Sequence, residues 1–502
     1  MRHFFPWFSL FIVIFALLIP VLSVVYLYDL NKGFELSEYV ISITYFTLYQ
    51  SLLSALFATI IGCLFAYLLI KHEYIPGVKY IVNSLSILFV LPTIISIFGI
   101  LSFYGEFIDI YGFSGILLGH TILNIPLVTR IIFQSLKDIS PNERLLAQQM
   151  NLNFRALFFA IEWPIIKKNI PSIFVLISFI CFVSFTPVLI LSGSPKYSTL
   201  EVAIYQAAIF ANDYNNALNL LSIQMLICIV IYIIFFKNFK SRNFIIDENK
   251  KYLLLNSFSY KYFFDYFILS MVAFLIFSPI LFVVVKGLNT SLIQVLNSNY
   301  FWPTLGTTLI ISFFSGLLSI ILTYSNLILL NKSNKISELW FYVLIIFSPA
   351  IMAIGYYIFF NEILSFNISN IFIVILINSI FTLPFTYNYL SPSFFRITQE
   401  HYDISESINI YGLRRFLIID LPRLKEPIIT AFCISSILSA SDLVIISFFG
   451  TNSLSTLTQT IYRLMGSYRM EEAYAVALLL LIYCFLYFIV SYKLVLRKWN
   501  TL

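Results

Sequence analysis

The sequence predicts an all-α polytopic membrane protein of twelve transmembrane helices, built as two parallel six-helix repeats. Three observations predict it: an apolar composition, a one-sided distribution of basic residues, and landmarks that recur at half the chain length. Of 502 residues, 60% are hydrophobic and 11% are charged, with a mean hydropathy of +0.92. A water-soluble chain carries roughly 25% charged residues, because its surface has to be polar. This chain therefore sits in lipid. At about 20 apolar residues per helical span, twelve crossings use about half the chain and leave no room for a large extramembrane domain. The formal charge of +6 is too modest to imply a nucleic-acid partner.

Uninterrupted apolar windows lie near 7–28, 46–70, 80–103, 112–133, 171–192, 217–237, 263–285, 303–330, 339–360, 370–391, 426–449 and 475–496. Arg2 and His3 precede the first window as in a signal peptide, but the window is longer than a signal peptide's apolar run and lacks a small-x-small cleavage site, so it reads as a helix. With the amino terminus in the cytoplasm, only Lys32, Lys196, Lys286, Arg463 and Arg469 of the 30 Lys and Arg residues fall outside, and 25 fall inside. The positive-inside rule then places both termini in the cytoplasm. A missed or invented span would reverse every later loop and scramble that sorting.

The repeat is read from five landmarks in one order. Pro92 and Pro349 stand 257 residues apart, as do Gly193 and Gly450, while the pairs Pro126/Pro384, Ser140/Thr398 and Pro164/Pro422 stand 258 apart. The halves are 1–245 and 246–502. Six is even, so both enter the membrane in one orientation, as parallel repeats related by an axis along the membrane normal. A substrate pathway belongs between them.

Chemistry-bearing motifs are few. Cys63, Cys181, Cys228, Cys433 and Cys484 lie in apolar stretches with no CxxC pair, which reads as core packing and gives no metal site. The phosphate-loop pattern is missing, and so is any Gly-Lys dipeptide, so a nucleotide that drives this protein must bind another chain. No cofactor is expected on the chain itself, and no catalytic residue.

Two inner loops, 134–170 and 392–425, are the long ones, and they stand at equivalent places in the repeat. The first opens with Ser140-Pro141-Asn142-Glu143, an N-cap hydroxyl, a proline at the first helical position and a glutamate at the third. It continues through Leu145, Leu146 and Ala147 to Asn151, then to a stop at Glu162-Trp163-Pro164. The second is expected to begin at Thr398 as its cap, run through Asp403, Ile404 and Ser405 to Asn409, and stop at Asp420-Leu421-Pro422. The spacing from Asn151 to Pro164 is the same as that from Asn409 to Pro422. Asn tolerates a left-handed backbone, so each loop reads as two short helices joined by a bend. Their apolar faces fit either the membrane surface or a partner's groove.

Each loop resembles the coupling signature of ATP-binding cassette (ABC) importer permeases: Glu-Ala-Ala, three residues, Gly, then a hydrophobic run ending in Pro. Leu145-Leu146-Ala147 with Asn151 and Pro164, and Asp403-Ile404-Ser405 with Asn409 and Pro422, occupy those positions. Only Asp403 supplies the acid, only Ala147 keeps an alanine, and both glycines are replaced by Asn. Among such permeases the chain is most similar to the thiamine family, in GILLGHTILNIPLVTRIIFQSLKDI (115–139), EWP (162–164), TLEVAIYQA (199–207), SDLVIISFFG (441–450) and GSYRMEEAYAVALLLL (466–481). The resemblance implies a MetI-like type I importer permease fold and thiamine, with its phosphates, as cargo. It also implies two copies of an ABC ATPase using ATP and Mg on the cytoplasmic side, an extracytoplasmic thiamine-binding protein, and residence in the bacterial inner membrane. The rival readings are a ferric iron or other small-solute permease of this architecture, and an ion-gradient-driven secondary transporter.

Three polar residues within spans invite a role in the pathway. Asp442 is the ionisable residue nearest the apolar centre of any span, and it either meets a cationic substrate or hydrogen-bonds a helix break near Gly450. His120 and Asn124 lie one turn apart near Pro126, fit for an interhelical hydrogen bond or for substrate. Tyr205, Gln206, Tyr462 and Tyr468 either face the binding protein or anchor the interface.

Overall fold

The computed structural model describes residues 4–27, 37–150, 154–193, 195–238, 263–330, 340–341, 344, 347–360, 370–407, 412–451 and 454–496. All secondary structure among the described residues is helical. The first sequence half contributes α1 (Phe4–Leu27), α2 (Glu38–Lys71), α3 (Pro76–Val90), α4 (Thr93–Tyr104), α5 (Phe113–Lys137), α6 (Pro141–Gln149), α7 (Phe154–Leu157), α8 (Trp163–Phe182), α9 (Thr186–Leu191), α10 (Leu200–Tyr205) and α11 (Tyr214–Asn238). The second contributes α12 (Phe263–Gly287), α13 (Ser291–Leu296), α14 (Phe301–Leu330), α15 (Pro349–Ile358), α16 (Asn370–Ser407), α17 (Gly412–Arg415), α18 (Leu421–Ala440), α19 (Val444–Phe449), α20 (Leu457–Gly466) and α21 (Met470–Leu496).

Nine helices among the described residues are long and apolar enough to cross a bilayer, or ten if one bent pair is a single span. They overlap the expected windows; the chain is a multi-pass membrane protein. The other windows are interrupted. At 80–103, α3 and α4 meet at 107°, because Pro92 drives Leu91 to extended backbone (ψ 148°) and no helix continues through it. At 426–449, α18 ends before Ser441 and α19 starts afresh at Val444. The 339–360 window is only partly among the described residues, where it supplies the short α15.

α2 shows why these segments are helices. Ser37 caps it by accepting from Val40 N at 3.3 Å, Glu38 sits in its first turn and Lys71 in its last, each opposing the local end of the helix dipole. Its 34 residues span about 51 Å at 1.5 Å per residue, against about 30 Å of hydrocarbon, so its ends pass beyond the apolar core.

The chain forms two compact units. One holds Leu36–Val202 and Ile227–Phe282, the other Met1–Glu35, Ala203–Leu226 and Val283–Leu502. They do not coincide with the sequence halves 1–245 and 246–502. In the first, α2 lies against α5 so closely that a Cβ on Gly62 would stand 2.6 Å from Val128 Cβ. There Pro279 of α12 seats on Gly99 of α4, and Tyr104 Oη donates to Leu275 O at 3.2 Å. In the second, Pro20 of α1 seats on Gly355 of α15, and Tyr356 Oη donates to Ala16 O at 3.0 Å.

The repeat is visible in the elements themselves. Phe154–Leu157, the wide turn Phe158–Glu162, Trp163–Phe182 and Thr186–Leu191 recur as Gly412–Arg415, Phe416–Asp420, Leu421–Ala440 and Val444–Phe449. Every boundary is displaced by the spacing that separates Pro164 from Pro422.

Candidate functional site

The loop at 134–170 begins as its sequence dictates. Asn142 N donates to Ser140 Oγ at 3.3 Å, Glu143 N donates to Ser140 O at 3.1 Å, and α6 runs from Pro141. Leu145, Leu146 and Ala147 lie in α6; Ala147 is buried, whereas Leu146 and Met150, one turn apart, stand exposed. Asn151 lies outside the described residues.

The second loop is built differently. α16 continues without a break for 38 residues, about 57 Å at 1.5 Å per residue, far more than a bilayer crossing requires. Thr398, expected as an N-cap, is an interior helical residue and buried. The first copy has Pro141 after its cap, which halts the preceding helix; the second has Gln399 there, and nothing halts it. Asp403, Ile404 and Ser405 therefore lie on the end of the membrane helix. Asn409 lies outside the described residues.

Pro164 and Pro422 were expected to stop the loops, and the structure corrects this: each is the second residue of a helix, α8 or α18. A proline has no N–H and its ring crowds the carbonyl four residues back, so the preceding turn widens. Trp163 N bonds to Phe158 O and Leu421 N to Phe416 O, five residues back in both copies. Chain direction is kept, and the helix runs on into the membrane.

Both wide turns end on a buried acid that the sequence reading did not single out. Glu162 is 3% exposed and Asp420 2%. Tyr324 Oη, reaching from α14, donates to Asp420 Oδ2 at 2.6 Å, and Arg415 Nε stands 3.5 Å from the same oxygen. The Tyr324 ring packs on Phe416 with centroids 4.9 Å apart. In the other copy Tyr67 of α2 packs on Phe158 at 5.0 Å and lies within electrostatic reach of Glu162. The signal was available: Tyr67/Tyr324, Phe158/Phe416 and Glu162/Asp420 obey the spacing already found for the prolines and glycines.

The intramembrane polar residues are held by hydrogen bonds. His120 Nδ1 lies 3.0 Å from Gln50 Oε1 and its Nε2 lies 2.9 Å from Ser184 Oγ. Gln50 Nε2 donates to Cys181 O at 3.1 Å, which leaves its oxygen as acceptor, so His120 carries its hydrogen on Nδ1 and accepts from Ser184 on Nε2. Asn124 Nδ2 donates to His120 O at 2.8 Å. Gln50 and Ser184 were not foreseen. Asp442 is the repeat counterpart of Ser184. Its carboxylate accepts from Ile445 N at 3.2 Å and Ile446 N at 3.3 Å, the orphan donors at the start of α19. Thr458 Oγ1 donates to Asp442 O at 2.9 Å.

Tyr205 is buried against Phe210 and Phe448, centroids 5.6 and 5.3 Å away. Gln206 and Tyr462 are half-buried, and Tyr468, at positive φ (59°), is 90% exposed.

Against this geometry the chain was compared with known proteins. It is 30% identical over 472 residues to the thiamine transport system permease protein ThiP of Haemophilus influenzae, covering 89% of this chain and 87% of that one. The chain belongs to the thiamine transport system permease family. Within the family it is also 28% identical over 491 residues to the Escherichia coli K12 protein, and 27% identical over 489 residues to that of Brucella abortus. Those alignments cover 91% of this chain, and 89% and 88% of the relatives. No protein-family model matches the chain, and no solved structure matches it. The thiamine permease relatives are thus matched over most of their own length and most of this chain's, so the likeness is one of whole proteins and not of a shared segment.

Proposed function

We propose that the protein is the membrane-spanning subunit of an ABC importer that carries thiamine and its phosphates across the bacterial inner membrane. The observation that carries this reading is the family likeness over 89% of the chain, together with a boundary-for-boundary repeat that ends each copy's cytoplasmic loop at the same wide turn. The chain crosses twelve times with both termini in the cytoplasm, a reading supported by the sorting of its basic residues, in a MetI-like fold. It makes and breaks no covalent bond. An extracytoplasmic thiamine-binding protein delivers the vitamin; two copies of a separate ATPase, using ATP and Mg, grip the loops around Asn151 and Asn409.

The protein's own contribution is a difference in stability between two arrangements of its helices, which partners on either face bias. Leu145, Leu146, Ala147 and Asn151, and Asp403, Ile404, Ser405 and Asn409, form the gripped segments, with Pro164 and Pro422 at the joints to the membrane helices.

Uptake of labelled thiamine by a strain lacking its own transporter, with the ATPase and binding protein supplied, tests the reading. The wild-type chain restores uptake and Asn409→Pro abolishes it. Uptake that proceeds without the ATPase, or equally well with Asn409→Pro, overturns it.

A further inference from the structure

We infer that Asp420 is a positioning residue that fastens the second cytoplasmic loop to α14, the core helix of its own compact unit. This rests on the importer reading above, in which a partner pushes on the loops.

The argument starts from the wide turns. A turn with five-residue hydrogen bonds next to a proline is the place where a helix yields most readily, because the proline has removed one bond and displaced its neighbours. Left alone, such a joint would absorb a push on the loop as local bending. The last residue of each turn is an acid at 2–3% exposure, a position that packing alone would fill with an apolar side chain. A buried carboxylate is tolerated only when its oxygens are bonded in fixed geometry. Asp420 meets that condition through Tyr324 at 2.6 Å, a short charge-assisted bond to a different helix, and through Arg415 from the turn before.

The bond therefore spans the yielding joint from the side. The loop cannot swing without carrying α14, since Phe416 and Asp420 hold the Tyr324 ring and hydroxyl together. In the first unit the ring contact recurs, Tyr67 of α2 on Phe158 with centroids 5.0 Å apart.

The test uses the complete transporter in liposomes, with its ATPase and with binding protein loaded with labelled thiamine. Three quantities are read: thiamine moved, ATP hydrolysed, and ATPase co-purifying per permease chain. Tyr324→Phe is expected to cut thiamine moved per ATP at least fivefold while the ATPase still co-purifies at the wild-type amount. Asp420→Asn, whose amide oxygen still accepts from Tyr324, is expected to keep more than half of the wild-type ratio. Asp420→Ala removes the same bond from its other end and gives the same reading should Tyr324→Phe not assemble. A ratio within twofold of wild type in Tyr324→Phe or Asp420→Ala overturns the inference, and so does a loss that merely follows loss of bound ATPase. A wild-type complex that moves no thiamine on ATP fails the importer reading instead, a distinguishable result.

Discussion

Thr47 Oγ1 accepts a hydrogen bond from Leu200 N at 3.0 Å, and Thr308 Oγ1 accepts one from Leu457 N at the same 3.0 Å. Leu200 and Leu457 are the first residues of α10 and α20, the short helices that follow Thr186–Leu191 and Val444–Phe449. In both copies a threonine on a long membrane helix satisfies a donor that a helix start would otherwise leave orphaned. Thr47→Val and Thr308→Val keep the shape and remove the acceptor, so each is expected to destabilise by about 1–3 kcal/mol. The two pairs share no partner, and the double variant should equal the sum within about 0.5 kcal/mol. Thermal unfolding of the detergent-solubilised protein checks both statements; a single variant with no effect refutes the pairing.

His120 is expected to serve stability and not cargo recognition. Both of its ring nitrogens are already engaged, by Gln50 and Ser184. Gln50→Leu leaves the Nδ1 hydrogen unmatched in a dry interior and should cost about 1–3 kcal/mol. The KM for thiamine uptake should stay within twofold of wild type in Gln50→Leu and in His120→Asn, which installs the residue type found at the repeat position, Asn378. A tenfold rise in KM without loss of stability would assign His120 to the pathway.

At the carboxyl end of α2, Lys71 Nζ and His72 Nε2 approach Asp265 Oδ2 at 2.6 and 3.0 Å, and His72 Nδ1 lies 3.2 Å from Tyr74 Oη. Burial lowers the His72 pKa below its ordinary 6.5; Asp265 opposes this through a hydrogen bond and its charge, and Lys71 adds to it. The folded state then binds less proton than the unfolded one, so His72 supports folding fully above 6.5 and withdraws that support as pH falls from there through its lowered value. The unfolding midpoint should drop as pH is taken from neutral to mildly acidic, and His72→Gln should flatten the drop. An identical pH dependence in the variant would exclude His72 as its source.

Which parts of this architecture were legible in the sequence follows from the range of the forces involved. Apolar windows are a local property, and α1, α2, α5, α11, α12, α14, α16 and α21 lie where hydropathy puts them. Ser140 and Pro141 start α6 because capping is settled within a single turn. Thr398 misled because its copy lacks the proline that ends the preceding helix, a difference of one side chain at position 399. Pro164 and Pro422 read as stops because a widened turn leaves no mark in composition. The seating of Pro20 on Gly355 and of Pro279 on Gly99 joins positions far apart in the chain, and no periodicity encodes it. The buried acids at 162 and 420 were within reach, had the repeat been followed through charged positions as well as through prolines and glycines.

Asp442 offers the sharpest separation of structure from recognition. Its two oxygens accept from Ile445 N and Ile446 N, so it is the cap of α19, and its backbone oxygen holds Thr458. Capping needs an acceptor and not a charge, whereas attraction of a thiazolium cation needs the charge. Asp442→Asn keeps one of the two acceptor oxygens and should lose less stability than Asp442→Ala, which orphans both donors and should lose about 1 kcal/mol. If the carboxylate only caps, thiamine uptake survives Asp442→Asn with KM unchanged. If Asp442→Asn stays folded and raises KM tenfold while the more destabilised Asp442→Ala raises it no further, the charge acts on the cation, and the same side chain does both jobs. Asp442→Ala alone could not tell these apart, because it removes cap and charge together.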